Sequence, residues 1–485
     1  MKNNCIIFFK RLNDSNVNYC HWKSNNNINL DPNKTDDYDL LVDIKDKNKF
    51  EKKLKNLFFY KKNINSYLVH YIIFEKDYIM HLHVYYKLIT SGLLYKNYHF
   101  PNSLILNKKN KNLYRGIINT PLVCDDYIFL ITRKICEFQS ILELILSIRN
   151  KELDKEIKFF ENKKLLDQKF KLKLKKKNLI DYNDFLNFQT FYKNRDLFKL
   201  YFLCLKYYTK LSKYRKTNYF LSELLRLFKL INLIFKKIFR LNNSLIKNHS
   251  GLMIAILGPD NSGKSTLING LSSYYKKYFD VKCFHLGSPK NNFLQRIINI
   301  FSLFFSKKSH LRNSNIVLSQ DRNLDFGSSF LISLKSIVQA ISKYYEFKII
   351  KKRYEEGKII FIDRYVKDTP SFFDGPKIEL IFCRSKIIQF FSIIEKKIYK
   401  KIDYCDLAFY LQVNNKTLFL RNNKRKKIIK ENSTYLSKSI IDAKDFKNYK
   451  SLKFVKLNSG KLTTDNLIIK IHRFLITNNY IKKVL

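Results

Sequence analysis

Residues 252–275, LMIAILGPDNSGKSTLINGLSSYY, constrain this chain more than any other stretch. Five apolar residues, Met253 to Leu257, read as a buried parallel strand. A turn follows, Gly258-Pro259-Asp260-Asn261-Ser262-Gly263. Lys264, Ser265 and Thr266 then open an amphipathic run with Leu267, Ile268 and Leu271 at helical spacing. The result is strand, glycine-bounded loop and helix, with G-x-x-x-x-G-K-S between them. The two glycines let the backbone curl so that its N–H groups point inward at phosphate oxygens. The helix N-terminus adds partial positive charge. Lys264 can reach the β- and γ-phosphates of a nucleoside triphosphate, and the Ser265 hydroxyl can ligate Mg²⁺. A glycine turn beside a chance lysine would account for neither the apolar strand before the loop nor the helix after it.

Strands and helices keep alternating to the C-terminus. Segments 281–286, 358–362, 406–413 and 454–457 read as strands; 331–354, 386–400, 416–422 and 464–476 read as helices. That alternation predicts an α/β domain over 251–485, a parallel sheet with helices on both faces. The stretch 290–328 resembles an insertion and has no assignment. The strand KIIFI runs into Asp363-Arg364-Tyr365. An aspartate at the C-terminal end of a buried strand in a phosphate-loop protein is expected near the metal. Arg364 is placed to grip an acceptor phosphate through its planar fork. The alternative is a salt bridge at a strand end. Arg421 and Arg425, with Lys424 between them, would neutralise developing charge if the turn closes as a lid. Otherwise they form a solvated basic turn.

The first 120 residues have a different pattern. A short helix at 4–15, a strand at 17–22 and paired strands at 67–75 and 78–86 predict an α+β domain. Asp37 and Asp39 flank Tyr38 on a strand and share a face, an arrangement that can hold Mg²⁺ through oxygen ligands. A capping aspartate cluster is the competing reading. His81 and His83 also share a face, which on two ligands alone favours a structural role or a substrate contact. Residues 121–250 read as a helical domain and linker. Within it, 150–180 is lysine-dense and reads as an exposed helix pair. The stretch 219–241 carries apolar residues at helical spacing among Lys and Arg. It is either a domain core or a basic helix lying on a membrane.

Composition narrows the classes. The net charge of +51 invites a nucleic-acid reading, but the lysines are spread along the chain rather than gathered in one stripe. The eight cysteines lack a C-x-x-C pair, which predicts reduced thiols, not a disulfide framework or zinc-finger site. No run of 18 uncharged apolar residues occurs, and the N-terminus lacks a signal-peptide pattern, so a cytoplasmic protein is expected.

Residues 252–476 resemble the thymidylate kinase family of P-loop nucleoside monophosphate kinases. The likeness rests on GPDNSGKST at 258–266, IDRY at 362–365, DLAFYLQV at 406–413 and the basic turn at 421–425. The whole chain is similar to a bacterial two-domain subgroup with an N-terminal nucleotidyltransferase-like domain. The matching residues are His21-Trp22-Lys23-Ser24, Asp37–Val42 and Phe373-Asp374-Gly375-Pro376. The chain departs from the family after its second strand, where His285-Leu286-Gly287-Ser288-Pro289 stands, and over Val366–Lys377. The resemblance implies ATP and Mg²⁺ as cofactors. It implies nucleotide contacts from Gly258 through Thr266, and metal contacts from Ser265 and Asp363. Asp260, Arg364 and Tyr365 would meet a small phosphate acceptor, with dTMP the first guess. Lys264, Asp363, Arg364, Arg421 and Arg425 would be the catalytic set, and Asp37 and Asp39 a second magnesium site. Two further readings stand: an ATP-driven accessory protein of surface-polysaccharide assembly docked to a membrane or partner, and an N-terminal nucleotidyltransferase. A homodimer is one assembly compatible with each.

Overall fold

The structure is a computed structural model. It describes the chain apart from residues 1–2, 26–36, 91, 93, 107–111, 115–116, 148–150, 164, 166–167, 240–243, 247, 288–325, 372, 381–384, 425–438, 441–445 and 461. Most of the insertion-like stretch, and Arg425, therefore lie outside the described residues. The chain divides into two compact units, Met1–Asn242 and Asn243–Leu485.

Unit 1 is built on a five-stranded sheet. Its strands are β1 (Tyr19–His21), β2 (Asp37–Val42), β3 (Phe59–Asn65), β4 (Leu68–Phe74) and β5 (Ile79–Tyr85), in the order β1-β2-β5-β4-β3. Only the β2–β5 pair is parallel. Side chains alternate across a strand, so each strand sends every second residue to each face. Tyr38, Leu40 and Val42, Val69, Tyr71 and Ile73, and Met80, Leu82 and Val84 share one core with Phe9, Leu12, Phe50 and Leu54. The last four residues belong to helices α1 (Asn3–Asn13) and α2 (Lys47–Leu54). The sequence reading missed β3, whose FYKKNIN has no apolar alternation and whose outer half is exposed. Two small hairpins follow, β6 (Leu88–Thr90) with β7 (Tyr98–Phe100) and β8 (Asn112–Tyr114) with β9 (Ile118–Thr120).

Helices complete the unit: α3 (Val123–Phe138), α4 (Ile141–Ser147), α5 (Lys151–Glu161), α6 (Gln168–Lys177), α7 (Tyr182–Lys193), α8 (Leu197–Lys210) and α9 (Tyr219–Ile238). No core boundary falls at residue 120. Cys20, Trp22, Leu41 and Tyr85 from the sheet pack in one cluster with Phe129, Phe170, Phe185 and Leu200 from the helices. The lysine-dense pair α5 and α6 is exposed on one side only, since Leu153, Ile157, Phe160, Phe170 and Leu174 are buried. Helix α9 does not form a core. Its buried residues are Ser222 and Arg226, while Phe220, Phe228, Ile231 and Phe235 are exposed. The polar stripe faces inward, where the Ser140 hydroxyl donates to Glu223 at 2.8 Å and Arg226 lies 3.9 Å from Glu143. No described helix is long and apolar enough to cross a membrane.

Unit 2 holds a parallel five-stranded sheet. Its strands are β10 (Leu252–Leu257), β11 (Val281–His285), β12 (Ile359–Asp363), β13 (Leu407–Gln412) and β14 (Phe454–Asn458), in the order β11-β12-β10-β13-β14. The first strand in sequence is thus the central one. All six of its residues are buried, as a strand covered on both faces requires. Helices Lys264–Lys276 (α10), Phe326–Glu355, Lys386–Lys400, Asn415–Lys424 and Thr464–Thr477 connect and flank the strands. Every strand and helix read from the sequence over 251–485 appears within a few residues of its expected bounds. In such a sheet a ligand crevice opens outside the carboxyl ends of the strands, where the connections diverge to opposite sides. The glycine-bounded loop leaves β10 at that end.

Candidate active site

The loop folds as its residues dictate. Gly258 has φ +142° and Gly263 φ +95°, both costly for any residue with a Cβ. A Cβ at Gly258 would also lie 2.9 Å from the Leu411 carbonyl oxygen. Asn261, at φ +68°, is a residue type that tolerates the left-handed region. Gly263 caps α10, so Lys264 and Ser265 open the helix with their N–H groups toward the loop.

Lys264 is 6% exposed, and its ammonium donates to the carbonyls of Gly258 (3.0 Å) and Pro259 (2.9 Å). It also lies 3.4 Å from Asp260 Oδ1. Burial, helped by the nearby Arg364 charge, lowers its pKa from the ordinary lysine value. The Ser265 hydroxyl donates to Asp363 Oδ2 at 2.7 Å. Strand register explains this contact, because Asp363 ends β12 level with Ile256 of β10, just before the loop. His285 of β11 pairs with the same residue, and its Nδ1 lies 3.6 Å from Asp363 Oδ2. Burial alone would raise the Asp363 pKa, but the His285 imidazole, the Ser265 hydroxyl and Lys264 hold it below the ordinary carboxylate range. Asp363 Oδ1 is buried with no hydrogen-bond partner among the described residues. A carboxylate oxygen left over beside a serine in the first turn of a helix is a donor set that a hydrated Mg²⁺ accepts.

Arg364 follows in a left-handed backbone conformation, φ +68°. A non-glycine residue held there costs about 1–3 kcal/mol and persists only where its surroundings impose it. Its own N–H donates to the Ile256 carbonyl at 3.2 Å, while its guanidinium donates to Asp260 Oδ1 and lies 3.5 Å from Asp374 Oδ1. The strand-end turn therefore aims Arg364 across the front of the loop.

Behind Arg364 lies a buried charge cluster that sequence reasoning did not assemble. Asp374 accepts from the Tyr449 hydroxyl at 2.7 Å, and Lys343, Lys367 and Asp374 are each under 5% exposed. Burial works against the Asp374 carboxylate, yet Arg364 and Lys343 keep its pKa below the ordinary range. Lys343 itself is pushed down to about 8, chiefly by burial. A lysine with a depressed folded pKa binds fewer protons folded than unfolded. Its cost to stability is fully present below about pH 8 and fades as pH rises toward the unfolded value of 10.5. Lys343→Met should therefore flatten the rise in unfolding midpoint between neutral pH and about pH 9.5. An unchanged slope would show that Lys343 is charged in the fold throughout.

Other expected site residues fall elsewhere. Tyr365 is 1% exposed in the core and donates to the Asp403 carbonyl at 2.8 Å, so it does not face the loop. Thr266 is exposed on α10. Arg421, expected as a lid charge, instead clamps the loop, with Nη1 donating to the Ser262 carbonyl and Nη2 to the Ser459 carbonyl, each at 3.0 Å. Ser459 Oγ donates to the same Ser262 carbonyl at 3.2 Å. Asn261 and Asp260 are tied by Asn422 (3.3 Å) and the Ser439 hydroxyl (3.0 Å).

In unit 1, Asp37 and Asp39 share one face of β2, as read. Each is engaged by a histidine of β5, and Asp39 lies 3.7 Å from Lys23 of the HWKS segment. Burial opposes the Asp39 charge, but Lys23 and His83 keep its pKa well below the ordinary range. Ser24 donates to Glu156 at 2.8 Å and Asn25 to Asp126 at 2.5 Å. The Asp126 carboxyl is pushed up to about 7 by burial.

No family model and no curated protein matches the chain. Among solved structures it is similar to a thymidylate kinase from Candida albicans, with 19% identity and a TM-score of 0.28 over 47% of this chain and 93% of that one. A thymidylate kinase from Ehrlichia chaffeensis gives 18% identity and a TM-score of 0.24 over 46% of this chain and 98% of that one.

Proposed function

We propose that unit 2 is an ATP-dependent phosphotransferase acting on a small acceptor that carries an anionic group. The single observation that carries this reading is the contact of Ser265, at the head of α10, with Asp363 at the end of β12, beside the buried Lys264. Lys264 and the loop N–H groups would hold the β- and γ-phosphates. Ser265 and Asp363 would hold Mg²⁺, whose chemistry is to neutralise charge on the transferred group. Arg364, steered by Asp260 and Asp374, would position the acceptor's anionic group. Arg421 would act indirectly, by fixing the loop backbone through two carbonyls. Catalysis of this kind is positioning and electrostatic stabilisation, and it needs no covalent intermediate.

A nucleoside monophosphate fits the acceptor side, with dTMP the first to test. The experiment is incubation of the full chain with MgATP and each nucleoside monophosphate, following ADP and diphosphate products. Lys264-dependent dTDP is the expected result. Binding of ATP with no diphosphate from any nucleotide would sink the nucleotide acceptor and turn the search to phosphorylated sugars. Absence of ATP binding would sink the phosphotransferase reading itself.

A further inference from the structure

The face of the unit 1 sheet opposite α1 and α2 carries five groups that strand register brings together. Across β2, β5 and β4, Asp39 pairs with His83 and His83 with His70; one row along, Asp37 pairs with His81. All five positions fall on one face by the two-residue alternation of the strands. The chain has nine histidines, and three of them meet here. Each offers one ring nitrogen, and the three nitrogens lie within 4.8 Å of one another.

A hydrogen bond sets the tautomer of His81. His81 Nδ1 lies 2.8 Å from Asp37 Oδ1, which makes Nδ1 the protonated nitrogen and leaves the Nε2 lone pair for the cluster. That Nε2 is 3.2 Å from His70 Nδ1. Two ligand nitrogens at the tetrahedral angle on an ion about 2.0–2.1 Å away are separated by about 3.3 Å. His83 Nδ1 lies 3.3 Å from Asp39 Oδ1, and His83 Nε2 is buried with no hydrogen-bond partner among the described residues. A buried ring nitrogen without a partner, beside a pair of imidazole nitrogens at ligand spacing, is a place a Lewis acid can fill.

We propose that His70, His81 and His83 bind one divalent first-row transition ion of the zinc class, with a fourth position open to water or an anionic ligand. Asp37 and Asp39 are positioning residues in this site. Asp37 accepts from the far side of the His81 imidazole, as carboxylates behind metal-bound histidines commonly do, and Asp39 Oδ1 lies 3.3 Å from the far nitrogen of His83. Neutral imidazoles suit zinc, cobalt, nickel or copper, whereas Mg²⁺ demands oxygen ligands. The three-histidine donor set differs from the oxygen donors that a magnesium site at Asp37 and Asp39 would use. The two carboxylates behind the histidines offset part of the ion's charge, Asp39 being shared with Lys23 at 3.7 Å.

The test uses the full chain, stripped with chelator and titrated with Zn²⁺ against a chromophoric competitor. Wild type should bind one equivalent at roughly micromolar affinity or tighter. Co²⁺ in its place should give the visible absorption of a four-coordinate ion. His83→Ala and His70→Ala should each weaken binding about 100-fold or more, and Asp37→Asn about 10-fold. Circular dichroism and nucleotide binding by unit 2 should stay at wild-type values, which separates ligand loss from misfolding. Three outcomes would overturn the proposal: no saturable Zn²⁺ binding by folded wild type, binding unchanged in both histidine variants, or displacement of Zn²⁺ by millimolar Mg²⁺.

Discussion

Replacing Lys264 with alanine is expected to cost about 10²–10³-fold in turnover, the range for losing one preorganised donor to developing charge. The loss should appear mainly in kcat, because the loop N–H groups and the α10 dipole still hold a nucleotide. Folding should survive, since the loop is also fixed by Arg421 on the Ser262 carbonyl and by the Ser439 hydroxyl on the Asp260 N–H. Stopped-time assays of ADP release with the acceptor found for wild type, alongside a melting curve, check both halves. Full turnover in a folded Lys264→Ala chain would remove this lysine from the chemistry.

Asp374→Ala is expected to have the largest effect on stability. Its carboxylate is 4% exposed, takes the Tyr449 hydroxyl at 2.7 Å and lies 3.5 Å from Arg364. Lys343 and Lys367, both buried, also act on it electrostatically. Removing the anion leaves cations in a dry interior, and breaking one partner of a buried charged network costs about 3–5 kcal/mol. For a unit of this size each kcal/mol moves the unfolding midpoint by roughly 2–4 °C. A fall of the order of 10 °C is therefore expected. Asp374→Asn keeps the shape and an acceptor for Tyr449 and should lose less. A midpoint within a degree or two of wild type for Asp374→Ala would mean that water reaches the cluster.

Unit 2 was legible because its information is local. The run LMIAIL has to be a buried strand, and the glycines at 258 and 263 permit only a turn. The KIIFI run ends on the aspartate that the register then carries to Ser265. What sequence could not supply were contacts between distant segments. Asp374 meets Tyr449, 75 positions away, and Arg421 meets Ser262, 159 away. His70 is only 11 residues from His81, yet nothing in its strand marks it. Its partners become visible only when β4 and β5 pair in register. Counting histidines at same-strand spacing stops at two. Helix α9 misled in a different way. Apolar periodicity says which residues share a face, not whether that face is covered, and here the covered stripe is polar. Tyr365 sits beside two site residues in sequence, but the turn that aims Arg364 outward sends its neighbour into the core.

The hydrogen bonds of Lys264 to its own loop bear on affinity. With acceptors at 3.0 and 2.9 Å, the ammonium is already satisfied by its own loop. An arriving phosphate must compete for it, so apparent affinity falls by the fraction of time the lysine is released. A single weak anion gains little from that exchange. A triphosphate bound as proposed would engage the loop N–H groups first and then recruit the lysine at high effective concentration. Under the proposed function, the loop would discriminate by the number of phosphates a ligand carries, before any contact with its base.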